Sequence, residues 1–102
     1  MTDDDHVYGE VDNEDDLRRI FAAIRRDVAQ ARTREELTKL YRRAEYLITL
    51  THSPAWQKKF GPQVEALRQV AQAEFTTTAR AINQRAESIG TASDYDETWG
   101  GG

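Results

Sequence analysis

An all-α fold, an antiparallel three-helix bundle, is predicted for this chain by three observations. Apolar residues recur at i, i+3, i+4 and i+7 in three separate stretches, which is the period of a helix that buries one face. The first two stretches open on residues suited to cap a helix, the third on a proline suited to a first helical turn, and no segment reads as a strand. The link between the first two stretches is only a few residues long, which favours antiparallel neighbours.

The first helix is expected to start near Asn13. Its side chain can accept from an early backbone N–H, and Glu14, Asp15 and Asp16 put negative charge where the helix dipole favours it. Leu17, Ile20, Phe21, Ile24, Val28 and Ala31 form its apolar stripe. Thr33-Arg34-Glu35-Glu36 has the form of a capping box and opens the second helix, whose stripe is Leu37, Leu40, Tyr41, Ala44, Leu47 and Ile48.

Ser53-Pro54 then pairs a capping Ser with a Pro at the first helical position, which predicts a short extra helix carrying Trp56 and Phe60. Gly61-Pro62 breaks that piece. A long third helix is expected from about Pro62 to Ile89, with Gly90 as its C-cap and Val64, Leu67, Ala71, Phe75, Thr78, Ile82, Ala86 and Ile89 on one stripe. It outreaches its partners by two to three turns. The tails must cover the overhang, or the helix must bend at the β-branched triplet Thr76-Thr77-Thr78, or a second subunit must pack there.

The 102 residues make one domain. Residues 1–12 read as an acidic N-terminal tail, 13–90 as the bundle, and 91–102 as an acidic, Gly-ending C-terminal tail, both tails being too polar to offset the cost of ordering them. Val7, Tyr8 and Val11 are the N-terminal residues able to latch onto the body. There is no cysteine, so disulfides, thiol catalysis and Cys-ligated zinc are excluded. No apolar run approaches the ~20 residues of a membrane span, and the N-terminus MTDDDHVYGE lacks the apolar core of a secretory signal. A soluble, cytoplasmic protein is the expectation.

Charge is sorted along the chain. Residues 1–16 hold eight acids and no Lys or Arg; residues 17–91 hold all fourteen basic residues against seven acids; residues 92–102 add Asp94, Asp96 and Glu97. The formal charge of −4 therefore hides a basic body between acidic ends that compete with anionic partners for it. Nine of the fourteen basic residues lie between Arg18 and Arg43, and Arg outnumbers Lys eleven to three, which suits bidentate binding of carboxylate or phosphate.

Catalysis is not expected. The histidines are His6, in the tail, and His52, at a helix junction, with no second His, Cys or acid pair spaced to make a dyad. No metal-ligand spacing is present, Asp3-Asp4-Asp5 lacks the pattern of a calcium loop, and no cofactor is implied. The candidate partner-binding residues are Arg18, Arg19, Arg25 and Arg26 of the first helix, with Lys39, Arg42, Arg43 and Tyr46 of the second. Antiparallel packing would merge them into one basic face, where Tyr46 falls opposite the apolar stripe as an anchor. Their alternative role is a solvated surface paired to Asp27, Glu35, Glu36 and Glu45.

Phe21, Tyr41, Trp56, Phe60 and Phe75 read as core. The outer face of the third helix (Gln63, Gln69, Gln72, Thr76, Thr77, Asn83, Gln84) is polar but poor in charge, so it tolerates burial in a wet interface. Asp94 to Trp99 reads as a loose end or as an acidic-aromatic docking peptide, with Tyr95 and Trp99 as its anchors, able to fold back onto the Arg face. The expected function is that of a small non-enzymatic adaptor or regulator acting by protein–protein contact. Nucleic-acid association through the same face, with the acidic tails as autoinhibitory competitors, is the first alternative. Self-assembly of a structural protein, including a homodimer through the third helix, is the second.

Overall fold

The structure is a computed structural model and describes residues 11–98. It is an all-α bundle in which α1 (Glu14–Gln30), α2 (Arg34–Thr51) and the long α4 (Val64–Ser88) run up, down and up. The short α3 (Pro54–Phe60) and a 3₁₀ turn (Gly61–Gln63) join α2 to α4. No strand occurs among the described residues.

Local chemistry sets the helix starts. The Asn13 side chain accepts from Asp16 N–H at 2.8 Å, and the Asp16 carboxylate accepts from Asp12 N–H at 2.9 Å. Thr33 and Glu36 close a full capping box, and the Glu36 carboxylate also accepts from Arg32 N–H at 2.6 Å. Ser53 caps α3 through Trp56 N–H. These bonds leave Asp16 and Glu36 with pKa values below the usual carboxylate range, mainly because backbone N–H groups donate to the ionised form.

A group whose folded pKa is depressed stabilises the fold above its ordinary value of about 4, and that stability is lost as pH falls through the lowered value. Thermal melts between pH 6 and pH 3 are therefore expected to show Tm falling with acid. Glu36→Gln should flatten the acid limb, because an amide keeps the cap without titrating. A slope unchanged by the substitution would contradict this.

The stripes meet in one core. Leu17, Phe21, Ile24, Leu37, Ile48, Phe75 and Ile82 are fully buried. α4 packs closely against both α1 and α2, which touch each other much less, so α4 is the central element. Trp56 and Phe60, expected as core, lie only half-buried at its edge, their rings 5.0 Å apart. A seven-residue helix has too little surface to bury both against the bundle, and the two rings instead meet edge to face.

At the other boundary Val11, expected in the tail, is buried in the core, and Lys59 holds its carbonyl at 3.1 Å. The rest of the proposed N-terminal tail, residues 1–10, lies outside the described residues.

The long helix runs unbroken through the threonine triplet. Thr77 and Thr78 donate to the Ala73 and Glu74 carbonyls one turn back, so these hydroxyls are satisfied within the helix. Buried Thr78 also accepts from Arg25, whose guanidinium bonds Glu74 at 2.9 Å and so ties α1 to α4.

Neither α1 nor α2 has a basic residue in its last turn, and α4 supplies the missing charge from outside. Arg85 Nε donates to the Ala31 carbonyl at 2.8 Å, and Arg68 Nε donates to the Thr51 carbonyl at 2.9 Å. Each arginine thus satisfies a carbonyl at the end of a neighbouring helix, where the dipole is negative.

Of the expected solutions to the overhang, the bend does not occur. The 3₁₀ turn shortens α4 at one end, and the chain itself covers the other. Gly90, at φ 86°, sets the C-terminal turn: Gly90 N–H reaches the Glu87 carbonyl and Thr91 N–H reaches the Ala86 carbonyl at 2.8 Å. This Schellman closure needs a left-handed residue, which Gly supplies without strain, and it sends the chain back along the bundle.

Candidate functional site

Two surfaces emerge, the outer face of α2 and the groove between α2 and α4. On the first, helical geometry alone decides who is displayed. Lys39, Arg42 and Tyr46 project away from the buried stripe of Leu37, Leu40, Ala44 and Ile48, and all three are exposed. Tyr46, 44% exposed, is the exposed large hydrophobic residue among those described. Neither Lys39 nor Arg42 makes an ion pair among the described residues. Lys39 and Arg43 also line an open groove against α1 with Asp27, Gln30 and Ala31.

The arginines of α1 do not join this face as one surface. Arg18 sits over the α4 side, beside Phe60, Gln63 and Leu67, and pairs with Glu14 and Asp15. Arg25 is held in the α1–α4 contact already described. Only Arg19 and Arg26 lie on the outer face of α1, and Arg19 pairs with Asp16. The cause is the position of α4, which draws one flank of α1 toward itself. His52 lies at the C-cap of α2, near Glu65, Arg68 and Gln72 on the α4 surface.

On the second surface lies residues 91–98, the part of the expected tail that is described. It is pinned rather than loose, and on the α2–α4 flank rather than on the α1–α2 arginines. Successive contacts step along α4 by about one turn: Ser93 bonds Glu87 at 2.9 Å, Tyr95 bonds Asn83, and Glu97 bonds Arg80 at 3.1 Å. From Arg80 to Glu87 the helix rises ~10.5 Å, about 2.6 Å for each of the four steps from Ser93 to Glu97, so the segment is drawn out along α4 although short of the ~3.3–3.6 Å per residue of a fully extended chain.

The intervening residues reach α2. Arg34 bonds the Asp94 carboxylate at 2.6 Å and the Ala92 carbonyl at 2.9 Å, and the Tyr41 hydroxyl donates to the Asp96 carbonyl at 3.0 Å. Burial, with the nearby Glu45 and Asp96 charges, raises the Tyr41 pKa. The ring of Tyr95 packs 5.1 Å from that of Tyr41, which in turn lies 5.7 Å from Phe75 in the core.

Arg34, Thr38, Tyr41, Asn83 and Arg80 were not singled out as a site by sequence, since they are drawn from two helices far apart in the chain. The signals were the acidic-aromatic character of Asp94 to Trp99 and the charge-poor outer face of the third helix, on which Asn83 lies. Trp99, the other proposed anchor, lies outside the described residues.

Among the described residues no cluster of His, Cys, Asp or Glu is placed to hold a metal ion, and no helix is long and apolar enough to cross a membrane. Comparison of the chain with family models, with curated proteins and with solved structures gives no match.

Proposed function

We propose that this chain is a small non-enzymatic adaptor or regulator that works in the cytoplasm by protein–protein contact through the outer face of α2. The observation that carries this reading is exposed Tyr46 beside exposed Lys39 and Arg42, on a helix backed by the core. A tyrosine offers a large contact area with few rotatable bonds, and arginines beside it select carboxylates by paired hydrogen bonds. The preferred partner is therefore an acidic protein surface with an apolar recess for the ring.

Charge bookkeeping favours protein over nucleic acid. Arg18, Arg19, Arg25 and Arg34 are matched by acids of this chain, which leaves a small cationic patch rather than a phosphate-tracking stripe. Near the chain ends Asp12, Glu14, Asp15, Asp16, Asp94 and Glu97 pair with Lys59, Arg18, Arg19, Arg34 and Arg80, so none of these carboxylates is engaged with Lys39 or Arg42.

The test is quantitative capture by the immobilised full chain. Tyr46→Ala or Arg42→Glu is expected to weaken retention of a specific protein at least tenfold, about the effect of losing one interface hot spot. Gln72→Ala on α4 should leave it unchanged. Equal retention by all variants would overturn the reading. Salt-sensitive binding of labelled duplex DNA or single-stranded RNA, lost in Arg42→Glu, would replace it with the nucleic-acid alternative.

A further inference from the structure

Residues 94–97 meet the α2–α4 groove as a bound peptide meets a receptor. The Asn83 side chain engages the backbone of Tyr95 from both sides: Oδ1 accepts its N–H at 3.0 Å, and Nδ2 donates to its carbonyl at 2.8 Å. Any extended peptide can satisfy that pair of bonds, which holds the backbone to α4 without reading sequence. Sequence is read on either side. The Tyr95 ring lies against Tyr41 and beneath the Arg34 guanidinium, 5.3 Å from its centroid, with its hydroxyl 2.8 Å from Thr38 Oγ1. Asp94 sits on Arg34 and Glu97 on Arg80.

We infer that this groove is a receptor site for an extended peptide of the pattern acid–Tyr–any–acid on a partner protein, and that the chain's own residues 94–97 occupy it as a tethered competitor. The site is distinct from the outer face of α2.

Three observations distinguish a displaceable ligand from a structural staple. The groove is built without the segment, because Tyr41 packs on Phe75 and Thr38 and Asn83 stand on regular helices. The two ionic clasps are open to solvent, with Asp94 62% exposed, and such pairs contribute little individually. The segment joins the bundle through the Gly90 turn, so it can leave without unravelling a helix core. Tethering holds it at a millimolar-scale effective concentration, so a partner must make further contacts to displace it.

The experiment measures fluorescence polarisation of a labelled peptide of residues 91–98 against the full chain and against full-length Asp94→Ala/Tyr95→Ala. The double variant is expected to bind the peptide at least tenfold more tightly than the wild-type chain. Adding Asn83→Ala, or replacing the tyrosine of the peptide by alanine, should abolish the gain. Asp94→Ala alone, which alters an exposed side chain, should give a smaller change in the same direction.

A folded double variant that binds no better than wild type overturns the inference. So does loss of fold in the double variant, because a segment required for folding is not a displaceable ligand. A wild-type dimer dissolved by the free peptide would overturn the partner assignment and make a second copy the occupant.

Discussion

Phe75→Ala is expected to lower stability by about 3–5 kcal/mol, the range for removing a buried phenyl ring and leaving a partly collapsed cavity. Phe75 is fully buried on α4, the helix that packs against both α1 and α2, so no single neighbour can relax into the space. It also supports the Tyr41 ring, which supports Tyr95. For a domain of this size, about 1 kcal/mol shifts Tm by roughly 4–8 °C, so the variant should melt at least ~12 °C below wild type. Its C-terminal segment should loosen in the same variant, read as faster hydrogen exchange at Tyr95. A melt within a few degrees of wild type would mean that α4 is not the central element.

The second large effect concerns helix ends. Arg68→Met and Arg85→Met each remove a charge-assisted bond to a carbonyl at the C-terminus of a neighbouring helix, while keeping an apolar stem. Each should cost roughly 1.5 kcal/mol, at the lower end for hydrogen bonds involving a charged group. The two arginines sit at opposite ends of α4, seventeen residues and ~25 Å apart, and share no partner, so their effects should add to about 3 kcal/mol. Denaturant titration of both single variants and the double checks this. A double variant no worse than either single would show that the two ends are coupled, against the geometry.

What sequence made legible was local. The Asn13 cap, the Thr33–Glu36 box and the Gly90 turn each depend on residues within one helical turn, and all three form. The stripes were equally legible because a 3.6-residue period is a property of one helix. The display of Tyr46 followed from the same geometry.

The antiparallel order of the helices was legible from the short link between the first two, but which flank of each helix faces which neighbour was not. Arg18 and Arg25 were grouped with Arg42 and Arg43, yet the flank of α1 that carries them faces α4, which a single-helix projection cannot show. The groove that holds Tyr95 joins Arg34 to Asp94 and Thr38 to Tyr95 across some sixty residues of chain, and an acidic, glycine-ending composition reads as a tail when those partners are invisible. Trp56 and Phe60 look like core by residue type, but their burial is limited by the brevity of α3.

The central claim is that the outer face of α2 is where this protein meets its partner. The direct measurement is photo-crosslinking of the full chain in its native cells, with a crosslinking amino acid at Tyr46 and, as control, at Gln72 on the exposed surface of α4. The account predicts a discrete adduct of defined mass from position 46, suppressed by Arg42→Glu and absent from position 72. No adduct from position 46 beyond those from position 72, or an adduct indifferent to Arg42→Glu, would contradict it.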